Sequence, residues 1–309
     1  MFGKSPKAAQ LAEDVTDFTA VQGRSLWQDA RTRFVQNRAA RACVLVLALI
    51  VAFTIFGPLF AQWNNEEIDW DIMGNVAAQG MPSLATGHYF GVDDLGRDLY
   101  SRVIQATSTS LLVGLIGASM ALTVGTMYGI VSGFVGGRTD SIMMRIVDVL
   151  MAIPATLVII LLLVIAGRSF FMLFIALGAV SWLSMSRIVR GQTLALKHRE
   201  FIEAARAAGV SEITIMHRHI LPNLLGVVVV YASLMVPEMI LAESFISFLG
   251  LGVSEPYTSL GSLISEGAGT MAYGTLWQLA VPLFFYVTII ITMFFIGDGL
   301  RDALDPKDR

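Results

Sequence analysis

Charge is scarce in this 309-residue chain: Asp, Glu, Lys and Arg supply 15% of it, where about a quarter is usual for a soluble domain. With 55% hydrophobic residues and a mean hydropathy of +0.68, the chain reads as one buried in lipid. Cysteine is all but missing. Cys43 stands alone in an apolar run, which excludes a disulfide framework or a cysteine-based metal site within one chain. A net charge of −3 and the lack of any basic domain leave nucleic acid no surface to bind. No GxxxxGK[ST] loop is present to cradle phosphates, the one Gly-Lys pair being Gly3-Lys4, so ATP hydrolysis by this chain is excluded. Of the four histidines only His217 and His219 lie close together, and a spacing of i, i+2 puts them on different faces of a helix. With no nucleophile elbow and no HExxH, neither a metal site nor enzyme activity is expected. The N-terminal stretch lacks an apolar core ahead of a cleavage site, so no cleaved signal is expected there.

What the chain does have is long uncharged runs. A spanning helix takes about 20 mostly apolar residues, and six segments qualify: 42–63, 103–137, 149–167, 169–186, 220–242 and 277–297. The second is long enough for one tilted helix with an extra turn outside the bilayer. The expected fold class is therefore an all-α polytopic membrane protein with six transmembrane helices. Six spans put both ends on one side, and lysine and arginine choose which. Eighteen of the 21 fall in 1–41, between the second and third spans, in 187–219 and in 298–309; only Arg97, Arg102 and Arg168 fall opposite. Both termini are predicted to be cytoplasmic. The implied organisation is a cytoplasmic N-terminal segment (1–41), a first helix (42–63), a periplasmic loop (64–102), a core of five helices (103–297) containing a cytoplasmic loop (187–219), and a cytoplasmic tail (298–309). Within 25–37, Leu26, Trp27, Ala30 and Phe34 share a face opposite Arg31 and Arg33, which predicts an interfacial helix anchoring the first span.

Small residues recur every fourth position in the second span: Gly117, Ala121, Gly125, Gly129, Gly133 and Gly137. Lipid gives no hydrophobic drive for helix association, so close backbone approach has to supply the contact. Gly125, Gly129 and Gly133 are the expected packing residues, against a helix of this chain or of a second subunit. Pro154, Pro237 and Pro282 lie inside spans, as hinges or as static bends.

A charged island, Arg199 to Pro222, interrupts the uncharged runs and reads as two short helices. Phe201, Ala204, Ala205 and Ala208 recur at helical spacing, with Arg199, Glu203 and Arg206 on the other side. Gly209 supplies a stop, Ser211 a cap, and Glu212 a charge suited to the next helix N-terminus. Ile213, Met216 and Ile220 give the second helix an apolar stripe, and Pro222 opens the following span. Such a hairpin could enter a groove on another protein or lie on lipid headgroups, and spacing alone does not decide.

Glu203-Ala204-Ala205, then Gly209, then Leu221-Pro222 resembles the EAA motif of permeases of ATP-binding-cassette importers. One position departs: the family's apolar residue three before the proline is His219 here. The stretch with Gly91, Gly96, Arg97 and Asp98, the run Ser247 to Gly252, and the tail Gly297 to Pro306 resemble the C-type permeases of oligopeptide importers, so that the likeness covers nearly the whole of 24–309. It implies the type I importer permease fold. It further implies that Glu203, Ala204, Ala205, Arg206, Gly209, Leu221 and Pro222 form a coupling element that docks on an ATPase. The implied assembly pairs this chain with a B-type permease, two ATPase subunits holding ATP and Mg, and an extracytoplasmic peptide-binding protein, in the bacterial inner membrane. The implied cargo is an oligopeptide; relatives of the class carry dipeptides, nickel, glutathione or peptide antibiotics.

Two features outside that motif remain. Asp93, Asp94 and Asp98 lack the alternating ligands and closing glutamate of a calcium loop, so no metal is expected there. Glu238 and Glu243 are costly at membrane depth unless they face water or a partner. They are candidate pathway residues that would meet a peptide amine, or they mark the interface with outside water. A self-sufficient secondary transporter is disfavoured because no internal repeat is found and Asp148, Glu238 and Asp298 lie near span ends. A membrane scaffold without transport is the other alternative.

Overall fold

The computed structural model describes residues 26–304, and helices build the fold. Expectations resting on 1–25 (Lys4, Lys7, Arg24) and on 305–309 (Pro306, Lys307, Arg309) lie outside the described residues. Helix α1 (Leu26–Gln36) and helix α2 (Arg38–Phe56) meet at Asn37, whose side chain accepts from the Ala40 N–H at 3.1 Å. An irregular segment follows, broken by one helical turn (Val76–Gln79). Helix α3 (Leu99–Val135) begins at Asp98, whose carboxylate caps Ser101 N at 2.8 Å. Next come α4 (Gly137–Met151), α5 (Ala155–Ala166), α6 (Phe170–Leu196), α7 (Glu200–Ala207) and α8 (Glu212–Ile215). The chain closes with α9 (Leu221–Phe248), α10 (Leu260–Thr270) and α11 (Leu276–Leu304).

Five helical stretches are long and apolar enough to cross a membrane, or six if the bent pair α4–α5 counts as one. Successive crossings leave α1, the α7–α8 hairpin and the end of α11 together at one end, here the hairpin end. Residues 57–98 and 249–275 gather at the other, the loop end. Two apolar clusters hold the bundle. One joins α3, α5, α6 and α9 to the hairpin through Val113, Leu163, Leu177, Met185, Ile202 and Leu224. The second joins α2, α3, α9, α10 and α11 through Ile50, Val103, Ile240, Leu260 and Ile289. Only α3 and α9 serve both, so they form the spine.

Several boundaries differ from the sequence expectation, each for a physical reason. The third span is not one helix over 149–167: α4 and α5 meet at a 79° bend across Ala152–Pro154, where proline ends the hydrogen-bond ladder. The 187–219 segment is shorter than a free loop, because α6 runs on to Leu196 with Val189 and Thr193 packed against α3. Its far side is also helical, since α8 passes through a π turn (Met216–Ile220) straight into α9. Pro222 has no N–H to return to Arg218, and in the same turn Asn223 Nδ2 donates to His219 O at 2.7 Å. The fifth span does not stop at 242, because neighbouring hydroxyls satisfy Glu243 and the helix continues to Phe248. The second begins at Leu99, and 298–304 is no free tail but the last turns of α11. There a Cβ at Gly299 would lie 2.5 Å from Ala40 Cβ, so α2 and α11 nearly touch.

Candidate functional site

The hairpin is built from local rules. Arg199 stays extended ahead of α7, and Glu200 and Glu203 occupy its first turn, where the helix dipole favours negative charge. Gly209 takes φ +78°, with Gly209 N donating to Arg206 O at 2.9 Å and Val210 N to Ala205 O at 3.1 Å. This Schellman closure needs a residue that tolerates the left-handed region. Ser211 Oγ then accepts from Thr214 N at 3.3 Å to start α8.

The face that roots the hairpin differs from the expected stripe. Ile202, Ile215 and Ile220 are the fully buried residues, and Ala205 is half-buried. Phe201, Ala204 and Ala208 point outward, as do Glu203 and, at 76% exposure, Ile213. The periodic residues and the anchoring residues are thus offset by one position. Only the tertiary partners distinguish them. Arg206 bridges the arms, its guanidinium 3.2 Å from Glu212 Oε1 and 5.2 Å above the Phe134 ring. Lys197 Nζ donates to Phe134 O at 3.0 Å, closing the C-terminus of α3. Beside this, Met127, Ile130 and Val131 of α3 face Ile213, Met216 and Leu221 across an apolar cleft of about 280 Å³.

The hairpin is tied to the core by the tight crossing of α3 and α6. A Cβ at Gly125 would stand 2.6 Å from Met185 Cβ, one at Gly129 2.6 Å from Ser186 O, and one at Gly133 2.9 Å from Arg190 O. Next to the crossing, Asp140 of α4 accepts from Arg190 Nε and Nη2, each at 2.5 Å, and from Ser132 Oγ at 2.5 Å. Arg187 pairs with Asp148 in the same way along α4 and α6. Displacing α6 therefore moves α3 and α4 with it.

At the loop end, charges pair instead of standing free. Asp93 takes Arg97 at 2.7 Å and Arg102, and Arg102 also reaches Glu266 at 2.7 Å, tying the segment before α3 to α10. Asp93, Asp94 and Glu266 lie close enough to share a cation, yet Arg102 already spans two of the three. Arg97 donates to Glu255 at 2.7 Å, and this hydrogen bond holds the Glu255 carboxyl below the usual range. His88, 1% exposed, bonds Asp98 at 2.9 Å and Asp69 at 3.3 Å and stacks on Trp63. Sequence reasoning missed this cluster, because its members lie in an irregular segment and follow neither helical nor strand spacing.

The two membrane-depth carboxylates are not alike. Glu243 is fully buried and takes Ser247 Oγ at 2.6 Å, Ser110 Oγ at 3.1 Å and Ser244 Oγ at 3.1 Å. Glu238 faces outward from α9. They are five residues apart on one helix and do not form a joint site.

A multi-pass helical bundle with a rooted, outward-facing hairpin at one end and a salt-bridged cap at the other is the architecture of a membrane transport component. The chain belongs to the family described as binding-protein-dependent transport system inner membrane component, whose model matches residues 125–309. A second model, the N-terminal transmembrane domain of oligopeptide transport permease C, matches 25–78. Among relatives, the oligopeptide transport system permease protein OppC of Escherichia coli K12 is 51% identical, covering 99% of each chain. That of Haemophilus influenzae is 48% identical over 98% of this chain and 96% of its own. The dipeptide transport system permease protein DppC of Bacillus subtilis is 39% identical, over 92% and 87%. Among solved structures, an inward-facing MetNI methionine ABC transporter chain shares the fold, with a TM-score of 0.53 over 65% of this chain and 95% of its own at 16% identity. The protein is accordingly a multi-pass permease component of the bacterial inner membrane, in a family of transport components rather than catalysts.

Proposed function

We propose that this chain is the permease subunit of an ATP-driven importer that carries oligopeptides inward, paired with a B-type permease. Two ATPase subunits, holding ATP and Mg, bind the hairpin end, and an extracytoplasmic peptide-binding protein delivers cargo to the loop end. The observation that carries this reading is the hairpin itself. Its outer face presents Ala204 and Ala208, small enough to sit in a groove, beside the apolar ring of Phe201, and its inner face is held against the core through Ile202 and against the end of α3 through Arg206. A push on such an element passes into the spanning core as a rigid-body shift.

Orientation follows the basic residues. Among the described residues, Arg97, Arg102 and Arg168 are the cations of the loop end, and each is held by a carboxylate or, for Arg168, by Gly250 O at 2.9 Å. The hairpin end carries the others, which supports placing it on the cytoplasmic side. An oligopeptide cargo is favoured over a dipeptide because relatives named for oligopeptides are 41–51% identical, and those named for dipeptides 39% and 32%. The test is uptake of a labelled tripeptide into proteoliposomes holding the complete importer. Uptake that requires both ATP and the binding protein is expected. Transport by this chain alone, or driven by an ion gradient without ATP, would overturn the reading.

A further inference from the structure

Toward its loop end, helix α9 packs one side into the bundle and leaves a stripe outside. Tyr231, Glu238, Leu241 and Phe245 are exposed, and spacings of seven, three and four residues place them on a single face. Met235, Pro237, Met239 and Ile240 beside them are buried, so the stripe turns away from this chain's own core. Glu238 lies deep in the helix, about 25 Å from Leu221 and about 15 Å from Phe248 along the axis. Facing lipid, its charge would be costly, so the carboxylate calls for water or a polar partner. The ion pairs among the described residues do not include it. Glu243 shows the contrast, since its oxygens are already taken by serines.

A second observation extends the stripe. Toward the hairpin end it runs into a cleft of about 270 Å³, lined by Tyr231 and Leu234 together with Gln192 of α6 and Arg301 of α11. An amide and a guanidinium in a cleft continuous with the stripe call for water or a polar solute, not for acyl chains.

We infer that this face of α9 lines the solute path, and that Glu238 attracts the cationic end of the cargo, the free α-ammonium of a peptide. The inference deepens the transport reading above and rests on it. Leu241 and Phe245 flank the carboxylate with apolar surface that accepts side chains without choosing among them. The ammonium is the one cationic group that every unblocked peptide shares.

The test uses the complete importer carrying Cys43→Ala, with Leu241→Cys or Phe245→Cys added singly. Membrane-impermeant methanethiosulfonates, one cationic and one anionic, report access and local potential. Both positions are expected to react, and a tripeptide to slow the reaction. The cation-to-anion rate ratio is expected to fall about tenfold when Glu238→Gln is introduced. In uptake, Glu238→Gln should raise KM with little change in maximal rate, and Glu238→Asp should restore it. Failure of both positions to react, in the resting and the nucleotide-trapped states, would mean that lipid or a partner subunit covers the face and would overturn the inference. Reaction with no change in the ratio would overturn the role of Glu238. Loss of ATP-driven uptake in the unaltered importer is the separate result that would remove the transport reading itself.

Discussion

Glu243 gathers three serine hydroxyls from two helices, and Ser110 Oγ in turn accepts from Leu260 N at 3.3 Å, where α10 begins. The carboxylate is thus the hub that seats α10 on α3 and α9, a close fit in which a Cβ at Gly261 would stand 2.4 Å from Ser244 O. Removing the hub leaves several buried hydroxyls without an acceptor. Glu243→Ala should therefore destabilise the loop end by about 3 kcal/mol, while Glu243→Gln, which keeps an acceptor, should lose much less. Thermal unfolding of the purified complex, with limited proteolysis around residues 249–259, measures both. Equal behaviour of the two variants would contradict the assignment. The sequence could place Glu243 near a span end but not inside a hydroxyl cluster, because its partner Ser110 lies 133 residues away. The Asp93–Arg102–Glu266 chain was hidden for the same reason.

Among the elements, the hairpin was the most legible. Gly209 as stop and Ser211 as cap are local signals, and local hydrogen bonds realise them. The bend at Ala152–Pro154 was less legible, since proline inside an apolar run reads equally as a kink within a continuous span. The sidedness of α7 was illegible from periodicity, as Ile202 rather than Phe201 meets the core. Gly209 also permits a clean perturbation. An added Cβ would meet nothing within 4 Å, so only the backbone conformation opposes substitution. Gly209→Val should strain the turn by about 2 kcal/mol, leaving membrane insertion intact but cutting peptide uptake and weakening retention of the ATPase subunits. Gly209→Asn, tolerated in the left-handed region, should keep most of both. Wild-type uptake by Gly209→Val would remove the reason for locating coupling at this turn.

At the scale of the whole molecule, α3 and α9 run between a cap fixed by buried ion pairs and a hairpin fixed by isoleucines. Helix α6, pressed on the α3 glycines and pinned to Asp140, joins the hairpin to that spine. Such a frame moves as a unit, which suits a subunit driven from outside itself. The most direct test is cross-linking of Ala204→Cys, in a Cys43→Ala chain, to the partner subunits in native membranes. The account predicts a cross-link to an ATPase, formed only from the cytoplasmic side, that blocks peptide uptake. Reaction of Ala204→Cys with an impermeant reagent added outside intact cells would contradict it.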